Sequence, residues 1–312
     1  FSTSLPEDIQ FKALSSVAGF EKVKFLRPGY AIEYDYFPPT QLKFTLETKL
    51  IENLYFAGQI NGTTGYEEAA CQGLMAGINA HRKTHELEHV VLKRSDAYIG
   101  VLIDDLINKG TDEPYRMFTS RAEYRTILRQ DNADLRLTEL GHRIGLAKED
   151  RMRLVEEKIN QINHTKSVLK SFPVEPKEVD ALLIAKGSSP LNEKTRAEKV
   201  LLRPNIGLKE LINQIPNLAK EVNCTDELVL EQVEIQTKYE VYIEKEKELV
   251  LKMAALEDLI IPDSFNYEKL SALSAEAKQK FIKIKPRTLG QASRISGVNP
   301  SDVQILMVYM GR

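Results

Sequence analysis

Three glycines, Gly58, Gly62 and Gly65, punctuate the passage from a short apolar run, Leu54 to Ala57, into a segment of unusually small residues, Ala69, Gly73, Ala76, Gly77 and Ala80. A strand, a glycine turn and a helix start in that order bring bare backbone N–H groups and a positive helix end to one point. Glycine lets the chain bend sharply there and approach a ligand closely. The spacing is not the G-x-G-x-x-G of a pyrophosphate loop, so phosphate binding by that geometry is not expected. The polar edge of a flavin ring is the better fit. Gly58, Gln59, Ile60, Asn61, Gly62, Thr63, Thr64 and Gly65 would bind it, with Gln59 and Asn61 as polar contacts. Thr63 or Thr64 would cap the helix that follows. Gly73 and Gly77 each cost a helix about 1 kcal/mol against alanine, so close packing against a sheet or cofactor should offset them. A tight helix–sheet contact with no ligand is the competing reading.

The second chemical feature is a row of arginines. Ser120 with Glu123 three residues on has the form of a capping box, which predicts a helix start. Arg121, Arg125 and Arg129 would then share one helix face, with Arg116 before it and Arg136 after it. Guanidinium groups one turn apart suit the phosphates of an RNA backbone. Internal pairing with Glu113, Glu123, Asp131 and Asp134 is the bland alternative, and the sequence leaves both open. Asp104 and Asp105 could be read as metal ligands, but neighbouring acids on a helix diverge by about 100°. With no third ligand evident they are expected at the solvent, so no metal site is assigned.

The elements that must position these groups change character along the chain. Val23–Leu26, Ala31–Tyr34 and Leu54–Ala57 are strand candidates, with Pro28-Gly29 and Pro38-Pro39 as turns. From about residue 63 the pattern is helical. Ile99, Leu102, Ile103, Leu106 and Ile107 predict a helix ended by Lys109-Gly110. A long helix is expected over 148–171, striped by Met152, Val155, Ile159, Ile162 and Leu169. Another is expected from Asp226 to Leu256, striped by Ile235, Tyr239, Tyr242, Leu249, Met253 and Leu256. The mixed-sign run Glu244–Glu248 reads as a solvated helix surface. Gly187–Pro190 reads as a linker. The closing segment is locally basic, with Lys278, Lys280, Lys283, Lys285, Arg287, Arg294 and Arg312. Ser293, Gly297, Val303 and Leu306 in it have the spacing of a helix-turn-helix. Docking of protein or RNA is favoured there over operator DNA.

The bulk numbers bound the class. The chain has 312 residues, 42% hydrophobic and 28% charged, with a formal net charge of -2, an ordinary globular composition with no global pull toward nucleic acid. No apolar run approaches the ~20 residues of a membrane span, and no stretch reads as a signal peptide. Two distant cysteines, Cys71 and Cys224, suggest a reducing compartment, hence the cytoplasm. Cys71 is expected to be a small buried residue and not a reactive thiol. The fold class expected from the patterning is α/β at the front plus all-α behind. The start at Phe1 and the scarcity of strands suggest that a longer N-terminal part belongs with it.

Three strings carry a family resemblance: Tyr55 to Ala70, Glu113 to Arg125 and Asp131 to Thr138. Gln232 to Gln236 and Gly290 to Gly297 fit the same pattern further on. Together they resemble, in order and over nearly the whole chain, the MnmG (GidA) family, the FAD subunit of the enzyme that modifies the tRNA wobble uridine with a carboxymethylaminomethyl group. The resemblance implies the end of a Rossmann-like FAD-binding domain followed by a helical C-terminal domain, with residues 1–95 holding the first, 96–220 an RNA-contacting helical region, and 221–312 a partner-docking helical domain. It implies FAD as cofactor and NADH as reductant, a one-carbon unit from methylene-tetrahydrofolate, and glycine or ammonium as the nitrogen source. It also implies an MnmE-type GTPase partner, tRNA as substrate, and a homodimer. Gln59 matches the family's FAD-contacting glutamine, and Arg116 and Arg125 match arginines of its tRNA surface. The family's glycine-rich phosphate loop, its NADH-binding insertion and its proposed catalytic cysteines have no counterpart here, so no catalytic residue is assigned. Weak or no FAD binding and no turnover are expected of the chain alone. The related folate- and FAD-dependent tRNA uridine methyltransferase and a helix-turn-helix DNA-binding protein are the alternatives.

Overall fold

The computed structural model describes residues 3–30, 34–111, 113–257, 259–262, 264–270 and 272–310. It is mostly helical. Helix α1 (Glu7–Ser15) is followed by irregular chain to residue 65, then α2 (Tyr66–Thr84), α3 (Tyr98–Lys109), α4 (Ala133–Arg143) and α5 (Glu149–Ser171). A two-residue strand β1 (Pro173–Val174) pairs antiparallel with β2 (Thr195–Arg196), and α6 (Pro176–Ala185) lies between them. Then come α7 (Ala197–Leu201), α8 (Leu208–Gln214), α9 (Pro216–Val222), α10 (Glu227–Lys238), α11 (Glu240–Glu257), α12 (Ala275–Ile284), α13 (Leu289–Arg294) and α14 (Pro300–Tyr309).

Two of the strands expected near the front do not form as elements among the described residues. Val23–Leu26 is irregular, and Ala31–Glu33 lie outside the described residues. Leu54–Ala57 contributes one bridge, Tyr55 to Glu47, with Phe56 N donating to Leu46 O at 3.1 Å. The segment is one arm of a hairpin folded over 42–56, too short to extend a sheet. Its base is the buried Glu47 carboxylate, which accepts from Asn53 N at 2.8 Å, from Lys43 at 3.0 Å and from Lys83. Burial works against its charge, but these three donors hold the carboxyl down at about 2.

Among the described residues the three larger cores follow one another along the chain. The front core joins Leu42, Leu46, Met75, Val90, Ile103 and Ile107. The middle one runs from Ile162 of α5 to Val233 of α10. The rear one gathers Phe281, Leu289, Ala292 and Leu306 of the last three helices. Helix α3 ends as expected, at Gly110 with φ +69°. Helix α14 opens on a reciprocal cap: Asp302 N donates to Asn299 Oδ1 and Asn299 N to Asp302 Oδ2, both at 3.1 Å. Asp302 also accepts from Ser274 N at 3.0 Å, which fixes α14 against the start of α12.

The single helix expected over 226–256 breaks at Tyr239, where φ is -106° and ψ 10°. Helix α10 is buried against α5 and α8, with Val229 and Val233 fully covered, whereas α11 leaves that core to pack on α13. Tyr239, Tyr242 and Leu249 of the expected stripe are therefore exposed; the side chain of Leu256 lies outside the described residues.

Candidate functional site

The glycine turn is held by one buried amide. Gln72 Oε1 accepts from Gly58 N at 3.1 Å and from Asn61 Nδ2 at 2.8 Å, while its Nε2 donates to Thr63 Oγ1 at 2.9 Å and to Glu68 O at 3.1 Å. Thr63 Oγ1 in turn donates to Gly58 O at 2.9 Å. Gly58, at φ +86° and ψ -139°, and Gly62, at φ +80°, occupy backbone regions that side chains rarely enter. With its hydroxyl so engaged, Thr63 does not cap α2, and neither does Thr64; the N-cap is Gly65, with no side-chain cap. Glu68 in the first turn instead reaches across to accept from Met117 N at 2.8 Å.

Above the turn lies a cavity of about 410 Å³, walled by Tyr34, Tyr36, Gln59, Gly62, Thr64 and Glu113. Tyr36 closes one side, its OH bonded to Thr111 O at 3.0 Å. A Cβ on Gly62 would sit 2.6 Å from Thr111 Oγ1 and 2.9 Å from the Tyr36 ring, so only glycine fits there. Of the residues proposed from sequence, Gln59, Gly62 and Thr64 line this cavity. Gly58, Asn61, Thr63 and Gly65 are buried beneath it, and Ile60 O accepts from Phe37 N at 2.9 Å. Asn61, expected as a polar contact, turns inward to Gln72 and to Phe56 O. The wall offers aromatic faces, an amide, hydroxyls and the carboxylates of Asp35 and Glu113, and no cation among the described residues. It fits the polar edge of a flat ring and not a pyrophosphate.

The glycines within α2 depart from expectation: a Cβ at Gly73 or Gly77 would meet nothing within 4 Å among the described residues. Their face of the helix, with Tyr66, Ala70 and Leu74, is exposed. Cys71 is half-buried beside Tyr115, Leu102 and Leu106. Burial, then Glu68 and Glu67, push its thiol up, so it stays protonated and unreactive.

The arginine helix does not form. Residues 119–121 make one 3-10 turn and 122–130 are loop. Glu123, expected to close a capping box, is taken instead by Arg94, whose Nη2 donates to it at 2.7 Å. Arg94 also donates to Asp104 at 3.0 Å, to Asp105 at 2.8 Å and to Arg121 O at 3.1 Å. From the other side, Glu246 of α11 accepts from Thr126 N at 3.3 Å and Ile127 N at 3.0 Å. One residue of the run read as a solvated surface is thus a loop anchor. Arg121 lies over the Tyr115 ring at 4.4 Å and bonds Arg116 O. Arg129 is half-buried, bonded to Asp131 at 3.1 Å and to Gln232 at 3.3 Å, and Arg136 donates to Asn132 Oδ1 at 2.9 Å. Two arginines face outward: Arg116, half-exposed and 3.8 Å from Glu68, and Arg125, which is exposed with no bonded partner among the described residues. The row is therefore divided between internal pairing and free display.

Asp104 and Asp105 are not at the solvent; they are 5% and 1% exposed. Asp104 binds Arg94 and receives both Nε and Nη2 of Arg294 at 2.9 and 2.8 Å. Asp105 takes Arg94, Lys109 at 2.7 Å and the Tyr115 OH at 2.9 Å. Burial opposes the charge on Asp105, but Arg94 and Lys109 keep its carboxyl low. Burial pushes Tyr115 up, aided by Asp105. Their partners are guanidinium groups, an ammonium, a phenol and the Asn108 amide, so the pair is an ion cluster tying the loop and α13 to α3. Nothing in the sequence singled out Arg94 or Gln72.

The rear hairpin is as the spacing suggested. Gly297 turns at φ +85°, and Val303 and Leu306 are buried. Helix α14 carries no lysine or arginine over Pro300–Tyr309; the basic residues sit on α12 and at Arg287 and Arg294. A recognition helix for DNA needs basic groups on the reading face, which α14 lacks.

Residues 1–88 match the family described as glucose inhibited division protein A, 149–247 the tRNA modifying enzyme MnmG/GidA C-terminal helical domain, and 250–312 the MnmG/GidA C-terminal helical bundle. Curated relatives named tRNA uridine 5-carboxymethylaminomethyl modification enzyme MnmG are similar along the whole chain. That of Flavobacterium johnsoniae is 62% identical and that of Christiangramia forsetii 60%, each covering 100% of this chain and 50% of the relative. The solved structure of Aquifex aeolicus GidA, form II crystal, superposes with a TM-score of 0.74 at 45% identity, over 100% of this chain and 49% of that one. The fold and its helical C-terminal modules thus match those of the MnmG/GidA models, which are described as belonging to a tRNA modifying enzyme. The chain belongs to the MnmG/GidA family. It spans about half the length of the relatives it matches.

Proposed function

We propose that this chain is the tRNA-facing half of an enzyme that installs a carboxymethylaminomethyl group at carbon 5 of the tRNA wobble uridine. What carries the reading is identity of 60% along the whole chain with enzymes named for that modification. The site geometry supports it. Residues 1–95 supply the end of a Rossmann-like FAD-binding domain, and Gln59, Gly62 and Thr64 hold the polar edge of the flavin ring. When bound, FAD supplies the redox chemistry, with NADH as reductant and methylene-tetrahydrofolate as carbon donor. The chain's own residues position. Gln72 keeps the turn rigid, Tyr36 and Thr111 wall the ring pocket, and Arg116 and Arg125 neutralise RNA phosphates from a loop fixed by Arg94 and Glu246. Residues 96–220 form the RNA-facing helical region. Residues 221–312 dock a GTPase partner of the MnmE type, in a cytoplasmic homodimer.

Mixing the purified chain with tRNA and with the GTPase tests this reading. Retention of both on a sizing column is expected, together with no stoichiometric flavin absorbance, because the phosphate-binding part of the cofactor site is not in these residues. Failure to retain tRNA at low salt would remove the RNA role.

A further inference from the structure

A second cavity, of about 470 Å³, lies where the 91–95 segment, the last turns of α11 and the start of α13 meet. Its size is that of a small-ligand pocket. Val91, Leu92, Val250, Met253 and Ala254 make an apolar wall, and Tyr124, from the loop that carries Arg125, adds an aromatic one. The polar lining is cationic: Lys93, Arg94, Arg287 and Arg294 against the carboxylates of Asp104 and Glu123. Those two carboxylates are already bound to Arg94 and Arg294 in the buried cluster. Lys93 and Arg287 are different. Both are exposed, and neither has an ion-pair partner among the described residues. An apolar and aromatic wall beside two uncompensated cations has the chemistry to take a ring joined to an anion.

We propose that this cavity is a nucleotide site. The base lies against the Val250–Met253 wall and Tyr124, and the phosphate meets Lys93 and Arg287. Stacking on an aromatic side chain with a cation on the adjoining phosphate is how proteins hold single nucleotides without reading their sequence. Arg116 does not line the site, which is independent of the flavin reading of the glycine turn. The nucleotide can be free or part of an RNA strand; the chemistry is the same.

The test is a calorimetric titration of the 312-residue chain with uridine monophosphate and with uridine, repeated on Lys93→Glu, Arg287→Glu and Ala254→Trp. The two charged positions are exposed, so their variants fold; circular dichroism checks the tryptophan variant. Saturable binding of the monophosphate is expected, at least tenfold weaker for uridine and for each charge reversal, and lost when tryptophan fills the cavity. A folded Ala254→Trp that binds the monophosphate like the parent, or a parent chain that shows no saturable binding, overturns the site. The tRNA affinity of the same variants then tells the source. A fall of fivefold or more identifies a nucleotide of the RNA strand, and an unchanged value identifies a free nucleotide.

Discussion

The glycine turn and the arginine loop, joined where Tyr115 N donates to Gly62 O at 2.7 Å, are held by opposite physics. The turn is neutral. Its backbone strain at Gly58 and Gly62 is balanced by the amide and hydroxyl bonds around Gln72, all out of water. The loop is ionic. Arg94 and Glu246 reach in from distant elements, and the charges of Asp104 and Asp105 are matched by Arg94, Lys109, Arg121 and Arg294. A neutral network fixes the turn itself, beneath a cavity whose wall also carries the carboxylates of Asp35 and Glu113. An ionic one holds most of its guanidinium groups inward and leaves Arg116 and Arg125 outward, the two that the proposed function assigns to RNA phosphate.

The comparison can be broken most easily at Arg94. Arg94→Ala strands buried carboxylates, and removing one partner of a buried pair costs about 3–5 kcal/mol. Urea denaturation should show that loss, and a change below about 1 kcal/mol would mean that Arg294 and Lys109 suffice. Gln72→Leu comes next, expected to cost about 2–4 kcal/mol because Gly58 N and Asn61 Nδ2 lose their acceptor in the interior. Its pH dependence should be flat, which distinguishes the neutral region from the ionic one.

A pH series sharpens the same contrast at the base of the front hairpin. The Glu47 carboxyl lies at about 2 in the native chain and near 4.3 when unfolded. Because the folded value is the lower, its contribution is complete above the unfolded value and is lost as pH falls from there toward the folded one. Stability of the parent should therefore drop across that window, and Glu47→Gln should remove that part of the drop. A parent and a variant with parallel pH profiles would place the acid sensitivity elsewhere.

What the sequence disclosed and what it hid follow the same division. The turn was legible because Gly58 and Gly62 are demanded locally, by φ and by the space beside Thr111. Helix α3 and the hairpin at Gly297 were legible for the same reason: an apolar spacing ended by a glycine. The loop was not, because the capping form of Ser120 and Glu123 is local, whereas the group that takes Glu123 is Arg94, from outside the segment. The burial of Asp104 and Asp105 had a readable sign. Helix α3 is apolar nearly all round, such a helix is buried, and an acid within it must be paired. The break at Tyr239 had none, since it comes from two cores drawing α10 and α11 in different directions.

The smallest effect on stability bears most directly on the central idea, that the ionic loop is built to leave Arg125 outward for RNA phosphate. Arg125→Ala should leave the denaturation midpoint unchanged. The decisive measurement is the salt dependence of tRNA binding by the chain and by Arg125→Ala. The slope of log affinity against log salt should be shallower by about 0.7–0.9 in the variant, the value of one phosphate contact. Identical slopes and identical low-salt affinities would contradict the account.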